Sequence, residues 1–217
     1  MKRLRDLTDA KIAFGRKKNP EFMKGVDEVI KEAKVFQKGK NAIKIGDKAP
    51  NFELPNPLGK PIELFKLLSV GPVVITFYRG SWCPYCNLQL RALQDKLKDI
   101  HQLGATLVAI SPEVPDASMT KKEMDEMEFI VLSDQDAKVA TQYGVAWTVP
   151  EFLLEHMRID RNLDLTKINN GNSTVLPIPA TFILGSDGLV KWNYVNVDYR
   201  TRSEPDEIIE ALKNISK

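Results

Sequence analysis

Thr76-Phe77-Tyr78-Arg79-Gly80-Ser81-Trp82-Cys83-Pro84-Tyr85-Cys86 carries both cysteines of this 217-residue chain. The run Pro72–Tyr78 leading into it is apolar and β-branched, and it reads as a short buried strand. Beyond it Leu90, Leu93, Leu97, Ile100 and Leu103 recur at helical spacing until Gly104 stops them. Pro84 suits the first helical position, where a missing N–H costs nothing. Cys83 is then the N-cap, and Cys86 lies one turn in. The first turn of a helix has unpaired N–H groups and the positive end of the macrodipole. A thiol there titrates below its free value of about 8.5. Two sulfurs on one turn can close a disulfide and reopen it, so strand, turn, Cys-x-x-Cys and helix together indicate redox chemistry.

Two structural alternatives fare worse. A disulfide across two intervening residues closes almost no loop and stabilises little. Zinc or an iron–sulfur cluster needs further ligands. Only His101 and His156 remain, neither beside another ligand, and both read as surface or packing residues. No metal and no bound cofactor are expected.

Tyr78–Leu93 resembles the active-site segment of the peroxiredoxin-like branch of the AhpC/TSA family, on a thioredoxin-like fold. Gly46–Leu54, Pro177–Leu184 and Val197–Arg200, with Glu204-Pro205 beyond, are similar to the same family, so the resemblance runs from about Ile45 to the C-terminus. It implies an α/β fold with a central mixed β-sheet flanked by helices. It also implies that Cys83 and Cys86 are catalytic and form a redox-active disulfide. Two departures stand out. Aligning the family's Pro-x-x-x-Thr-x-x-Cys on Cys86 puts Arg79 at the proline and Cys83 at the threonine. The family's later pocket arginine falls near Pro179 or Ala180. Trp82-Cys83-Pro84-Tyr85-Cys86 itself is closer to thioredoxin or glutaredoxin motifs.

Composition sets the bounds: 43% hydrophobic, 28% charged and a net charge of +2 describe an ordinary globular domain with an addition. So small a charge does not suggest nucleic acid, and no apolar run approaches the roughly 18 residues of a membrane span. Met1–Asp9 is charged throughout, without the apolar core of a signal peptide, so a cytoplasmic setting is expected. Residues 1–40 are a basic helical extension with 12 Lys/Arg against 6 Asp/Glu, whereas the remainder has 19 against 23. A weak stripe over Leu4–Lys11 breaks near Gly15 and Asn19-Pro20. Phe22, Val26, Val29, Ala33 and Phe36 then mark one apolar helix face. That face is expected to pack on its own domain, with a homodimer contact or an anionic surface as alternatives. Lys38–Asn41 is the linker.

Residues 43–217 are expected to form the thioredoxin-like domain. An N-terminal β-hairpin over Asn51–Leu64 turns at Gly59, and a helical turn follows over Phe65–Ser69. Ala105–Ile110 and the cysteine strand enclose the cysteine helix as a parallel βαβ unit. Helices are expected at about 116–127 and 136–143, with a strand over Phe129–Leu132 between them. The stretch 145–175 is least legible. Val149–Met157 suggests a helix, and the whole insertion reads as packing rather than as a lid. Ala180–Leu184 and Leu189–Val195 form a hairpin, and Ser203-x-x-Asp206 suggests a capping box for the last helix.

The resemblance implies that Pro179 is a cis-proline facing the cysteines, leaving the preceding backbone free for a substrate strand. It also implies that the loop Asn196–Arg202 lies near them, making Asp198, Arg200 and Arg202 candidates to tune the thiols or orient substrate. Arg79, close in sequence to Cys83, favours its thiolate, and Trp82 shields the pair. Thr76 occupies the strand position below the cysteines where thioredoxin has a buried carboxylate.

The expected function is hydroperoxide reduction through a Cys83/Cys86 dithiol–disulfide cycle, with thioredoxin or a low-molecular-weight thiol as reductant. A protein disulfide reductase is the alternative. A non-enzymatic redox sensor or binding module, reaching a partner through residues 1–40, is the third reading.

Overall fold

The computed structural model describes residues 3–37, 41–114 and 128–215. Its centre is a five-stranded sheet of β3 Val73–Phe77, β4 Thr106–Ser111, β5 Ile130–Ser133, β8 Ala180–Leu184 and β9 Val190–Val195. Their order across the sheet is β5-β4-β3-β8-β9 among the described residues. β3, β4 and β5 run parallel, while β8 and β9 are antiparallel to their neighbours. This is the mixed sheet that the family resemblance implies.

The central strands are buried on both faces, and strand alternation divides their side chains between two cores. Val74, Leu107, Ala109 and Ile183 face helices α4 Pro84–Asp95, α5 Leu97–Gln102 and α9 Pro205–Ile215. Val73, Ile75, Phe77, Val108, Ile110, Phe182 and Leu184 face the other layer. There Phe77, Tyr143 and Phe182 form an aromatic cluster, Phe182 meeting the other two rings edge to face. Burying each large apolar side chain in these cores contributes about 1.5–3 kcal/mol.

The expected N-terminal hairpin pairs β1 Glu53–Pro55 with β2 Pro61–Glu63, Gly59 turning at φ +73°. Helix α3, Leu64–Leu68, is the expected single turn. The parallel βαβ unit is present, but its helix is two segments, because Lys96 leaves the helical region (φ −105°, ψ 4°). The stripe Leu90, Leu93, Leu97 and Ile100 is nevertheless continuous and buried. The last helix begins at Pro205, not in a capping box. The Ser203 hydroxyl instead donates to Thr181 Oγ1 at 3.1 Å.

In the extension, α1 Leu4–Lys18 passes through Gly15 unbroken and stops at Asn19, and α2 Pro20–Gln37 follows. Val26, Ile30 and Ala33 of α2 join one core, whereas Ile12 of α1 packs against the other. The helical pair thus spans both layers. The Phe36 side chain, most of the linker and the helix expected at 116–127 lie outside the described residues.

The helix expected at about 136–143 is α6 Lys138–Gln142, and the insertion after it contains β6 Ala146–Thr148, α7 Glu151–Glu155, α8 Leu165–Ile168 and the start of β7 Val175–Pro177. α7 widens into a π-helical segment, His156–Asp160. β6 and β7 pair as a separate antiparallel hairpin.

Candidate active site

β3 delivers the chain to the end of the sheet at Phe77, and the turn 78–83 carries it up to the first residue of α4. Cys83 is the N-cap residue, with extended backbone, and Pro84 occupies the first turn, as the sequence indicated. Glu113, just past the end of β4, fixes the turn. Its carboxylate accepts from the Ser81 backbone N–H (2.8 Å) and hydroxyl (3.3 Å). Gly80 sits at φ +148°, where a Cβ would collide with the Trp82 indole. Both sulfurs end up buried, with Cys83 at 1% and Cys86 at 0% exposure.

Two guanidiniums close on the pair. Arg202 Nη2 donates to Cys86 Sγ at 2.9 Å and lies 4.0 Å from Cys83 Sγ. Its Nη1 donates to the carbonyls of Tyr199 and Thr201, which fixes the fork. Arg79 is sandwiched between Tyr199 (4.5 Å to the ring centre) and Trp82 (5.1 Å). Its polar contact is a 3.8 Å bond to Met157 Sδ, and its Nε has no partner. Neither arginine forms an ion pair with a carboxylate within 4.0 Å among the described residues.

The electrostatics follow from this enclosure. Burial opposes a charge on Cys83, but the hydrogen bond from the Cys86 thiol and the Arg79 and Arg202 charges outweigh it. They hold Cys83 well below the ordinary thiol range. Burial and the adjacent Cys83 thiolate push Cys86 well above that range, against the pull of Arg202. The pair therefore shares one proton and one negative charge at neutral pH. Burial pushes the nearby Tyr85 phenol up to about 12, and Tyr78 and Tyr199 rise for the same reason, so these rings face the pair uncharged.

Other expected residues fall into place differently. Thr76 lies in a buried chain of polar groups: Gln89 Nε2 donates to its hydroxyl (3.1 Å), which meets Thr181 Oγ1 at 3.2 Å. Trp82 is half-buried between both cores and accepts at its carbonyl from Arg161 Nη2 (3.3 Å). The Asn196–Arg202 loop does reach the thiols, but through Arg202. Arg200 turns to Asp198 (2.9 Å) and to Asp27 of α2 (2.7 Å), and neither Asp198 nor Arg200 contacts a sulfur.

Pro179 requires a correction. It stands at the right end of the sheet, one residue before Ala180, which pairs with Phe77. Its peptide bond is trans, since no cis bond occurs among the described residues. Trans is the favoured form by about 0.5–1 kcal/mol, and here the flanking backbone is already committed. Ile178 N–H donates to Val145 O (2.9 Å), and Pro179 O accepts from Asn196 N–H (3.1 Å). The Ile178 N–H is therefore not free to pair with a substrate strand.

Sequence reasoning missed Tyr199, Met157, Arg161 and Glu113. Glu113 had a usable signal, since it follows a parallel strand at the end where α/β sites form, and Tyr199 lies in the loop already expected near the cysteines. His156 packs on Phe22, ring centres 3.8 Å apart, and bonds Asp160 at 2.6 Å. No group of three or more His, Cys, Asp or Glu among the described residues could hold a metal ion. No described helix is long and apolar enough to cross a membrane.

Comparison with known proteins gives concordant results. A model of the AhpC/TSA family matches residues 45–193. Peroxiredoxin Bcp of Escherichia coli K12 is 27% identical over 173 residues, covering 80% of this chain and 97% of that protein. A putative peroxiredoxin of Mycobacterium tuberculosis is 35% identical over 103 residues, 48% of this chain and 67% of that protein. Among solved structures, peroxidoxin BcpB of M. tuberculosis is 25% identical and superposes with a TM-score of 0.59, covering 80% of this chain and 98% of that one. The peroxiredoxin 6 of Arenicola marina (20% identity, TM-score 0.60, covering 79% and 73%) shares the fold.

Proposed function

This chain belongs to the AhpC/TSA family, and from that premise we propose that it is a thiol-dependent peroxidase working through Cys83 and Cys86. One observation carries the assignment of the sulfurs: the buried Arg202 guanidinium donates to Cys86 Sγ at 2.9 Å, at the N-terminus of α4.

In the proposed cycle Cys86 attacks the outer oxygen of a hydroperoxide. The O–O bond breaks, Cys86 becomes a sulfenic acid, and an alcohol or water leaves. The Cys86 proton passes to the Cys83 thiolate as Arg202 stabilises the charge arriving on Cys86, and it then goes to the departing oxygen. Cys83, again a thiolate, attacks the Cys86 sulfur. The S–O bond breaks, the disulfide forms, and hydroxide takes a proton to leave as water. Two thiols of a thioredoxin-type or low-molecular-weight reductant restore the pair, in a reducing compartment such as the cytoplasm.

The disulfide-reductase alternative needs a free backbone N–H before Pro179 to hold a protein substrate strand, and the Ile178 N–H is already bonded to Val145 O in this conformation.

Single-turnover oxidation of the reduced protein by hydrogen peroxide tests the proposal, with Cys83→Ser and Cys86→Ser alongside. The expected result is fast oxidation that is lost in Cys86→Ser, and a trappable sulfenic acid in Cys83→Ser. Sulfenic acid trapped only at Cys83 would reverse the order of the sulfurs. Slow oxidation in all three proteins, with rapid exchange against a disulfide, would sink the peroxidase.

A further inference from the structure

Arg202 is flanked, two residues to either side, by Arg200 and Glu204. Both neighbours are tied to the N-terminal helices. Arg200 Nη1 donates to Asp27 Oδ1 of α2 at 2.7 Å, and Asp27 is held from its other oxygen by Arg16 (3.0 Å). The Glu204 carboxylate accepts the backbone N–H groups of Leu4 (3.1 Å) and Arg5 (2.6 Å). Those N–H groups have no partner within their own helix, and the Arg3 side chain at the N-cap supplies none. A carboxylate 200 residues away thus caps α1, at the helix end that favours an anion.

The same helices reach the opposite wall of the site. Phe22 stacks on His156 and on Phe152, ring centres 3.8 and 5.4 Å apart. That insertion presents Met157 to Arg79 and Arg161 to the Trp82 carbonyl.

We propose that α1 and α2 form a positioning clamp for Arg202: by holding Glu204 and Arg200 they keep its guanidinium against Cys86, with Glu204 and Asp27 as the positioning residues. The proposal rests on the reading that Arg202 stabilises the reacting thiolate. It predicts a sign that simple electrostatics would not. The groups facing the sulfurs are Arg79, Arg202 and the phenols of Tyr78, Tyr85 and Tyr199. Asp198, Asp27 and Glu204 stand behind the arginines. Removing a carboxylate takes away repulsion and, acting alone, lowers the thiol titration. Releasing Arg202 raises it.

The experiment uses the full-length reduced protein, with thiolate absorbance followed against pH and the oxidation rate measured with hydrogen peroxide. Glu204→Ala and Asp27→Asn should each move the thiol titration to higher pH and slow oxidation on its acidic side, by up to about tenfold there for a midpoint one pH unit higher. Asp9→Asn, an exposed charge on the same extension, should move neither. In an Arg202→Met background, adding Glu204→Ala should have no further effect, because both act through one side chain. A downward or absent movement in Glu204→Ala and Asp27→Asn, with Arg202→Met still moving the titration, would overturn the clamp alone. An Arg202→Met protein that titrates and oxidises like wild type would overturn the reading of Arg202, and the clamp with it.

Discussion

Two buried arginines around one dithiol set the chemistry of this protein at the scale of single residues. Arg202 donates directly to Cys86, while Arg79 acts on Cys83 through space, from between two aromatic rings. Arg79→Met should therefore raise the midpoint of the thiol titration and slow oxidation by peroxide on its acidic side, about tenfold there if the midpoint rises by one pH unit; an unchanged titration would remove Arg79 from the site. The sign of the pH dependence follows from Cys83. Its folded value lies well below that of a free thiol, so the thiolate is already formed at neutral pH. The oxidation rate should be flat around neutrality and fall on acidification. Stability obeys the same linkage: between the depressed folded value and the ordinary thiol range, the unfolded chain binds more protons. The Cys83 contribution is thus complete above the ordinary thiol range and lost as pH falls through the folded value. Denaturation midpoints of reduced wild type and Cys83→Ser, compared across pH, measure it.

Among the elements, helix starts and stops do most of the positioning. α4 begins on Cys83 because Pro84 pre-sets the first turn and the preceding backbone is extended. α6 begins on a buried carboxylate, Asp134, which accepts from the Val139 and Ala140 N–H groups at 2.9 and 2.8 Å. After α6, Gly144 turns at φ +68° against the Asn41 carbonyl, where the chain leaving the extension enters the domain. A Cβ at Gly144 would overlap Asn41. Gly144→Ala should therefore cost no less than a strained left-handed residue does, about 1–3 kcal/mol, read as a lower denaturation midpoint in urea. A wild-type midpoint would mean that this junction gives way freely. The extension is held by its apolar face and, beside it, by charge: Glu204 caps α1 at one end, and Asp27 lies between Arg16 and Arg200 in the middle.

For the molecule as a whole, the consequence is a redox-dependent stability. Disulfide formation removes the one negative charge from a site that keeps two buried guanidiniums, Arg79 at 3% and Arg202 at 6% exposure. The short Cys-x-x-Cys loop offers little entropic compensation. The oxidised protein should unfold at lower denaturant concentration than the reduced one, by about 1.4 kcal/mol for each pH unit that separates the Cys83 titration from that of a free thiol. Equal midpoints would mean that the arginines find another counter-charge on oxidation.

What the sequence determined by itself is the set of features carried by near neighbours. The buried strand, the proline-initiated helix with a cysteine at its cap, the βαβ unit and both hairpins rest on periodicity and turn chemistry within a few residues. They therefore appear where the pattern put them, apart from the break at Lys96. The tertiary structure decided everything that depends on distant partners. Arg202 rather than Asp198 or Arg200 meets the sulfurs, because the course of the loop decides which side chain faces in, and its target lies 116 residues back. Ser203 bonds Thr181 in place of a cap, and Glu204 caps a helix 200 residues away. Pro179 is trans because Val145 and Asn196, remote in sequence, already hold the backbone on either side of its peptide bond. Local patterns record what each residue prefers among its neighbours; burial and charge pairing across the fold select which of those preferences is used.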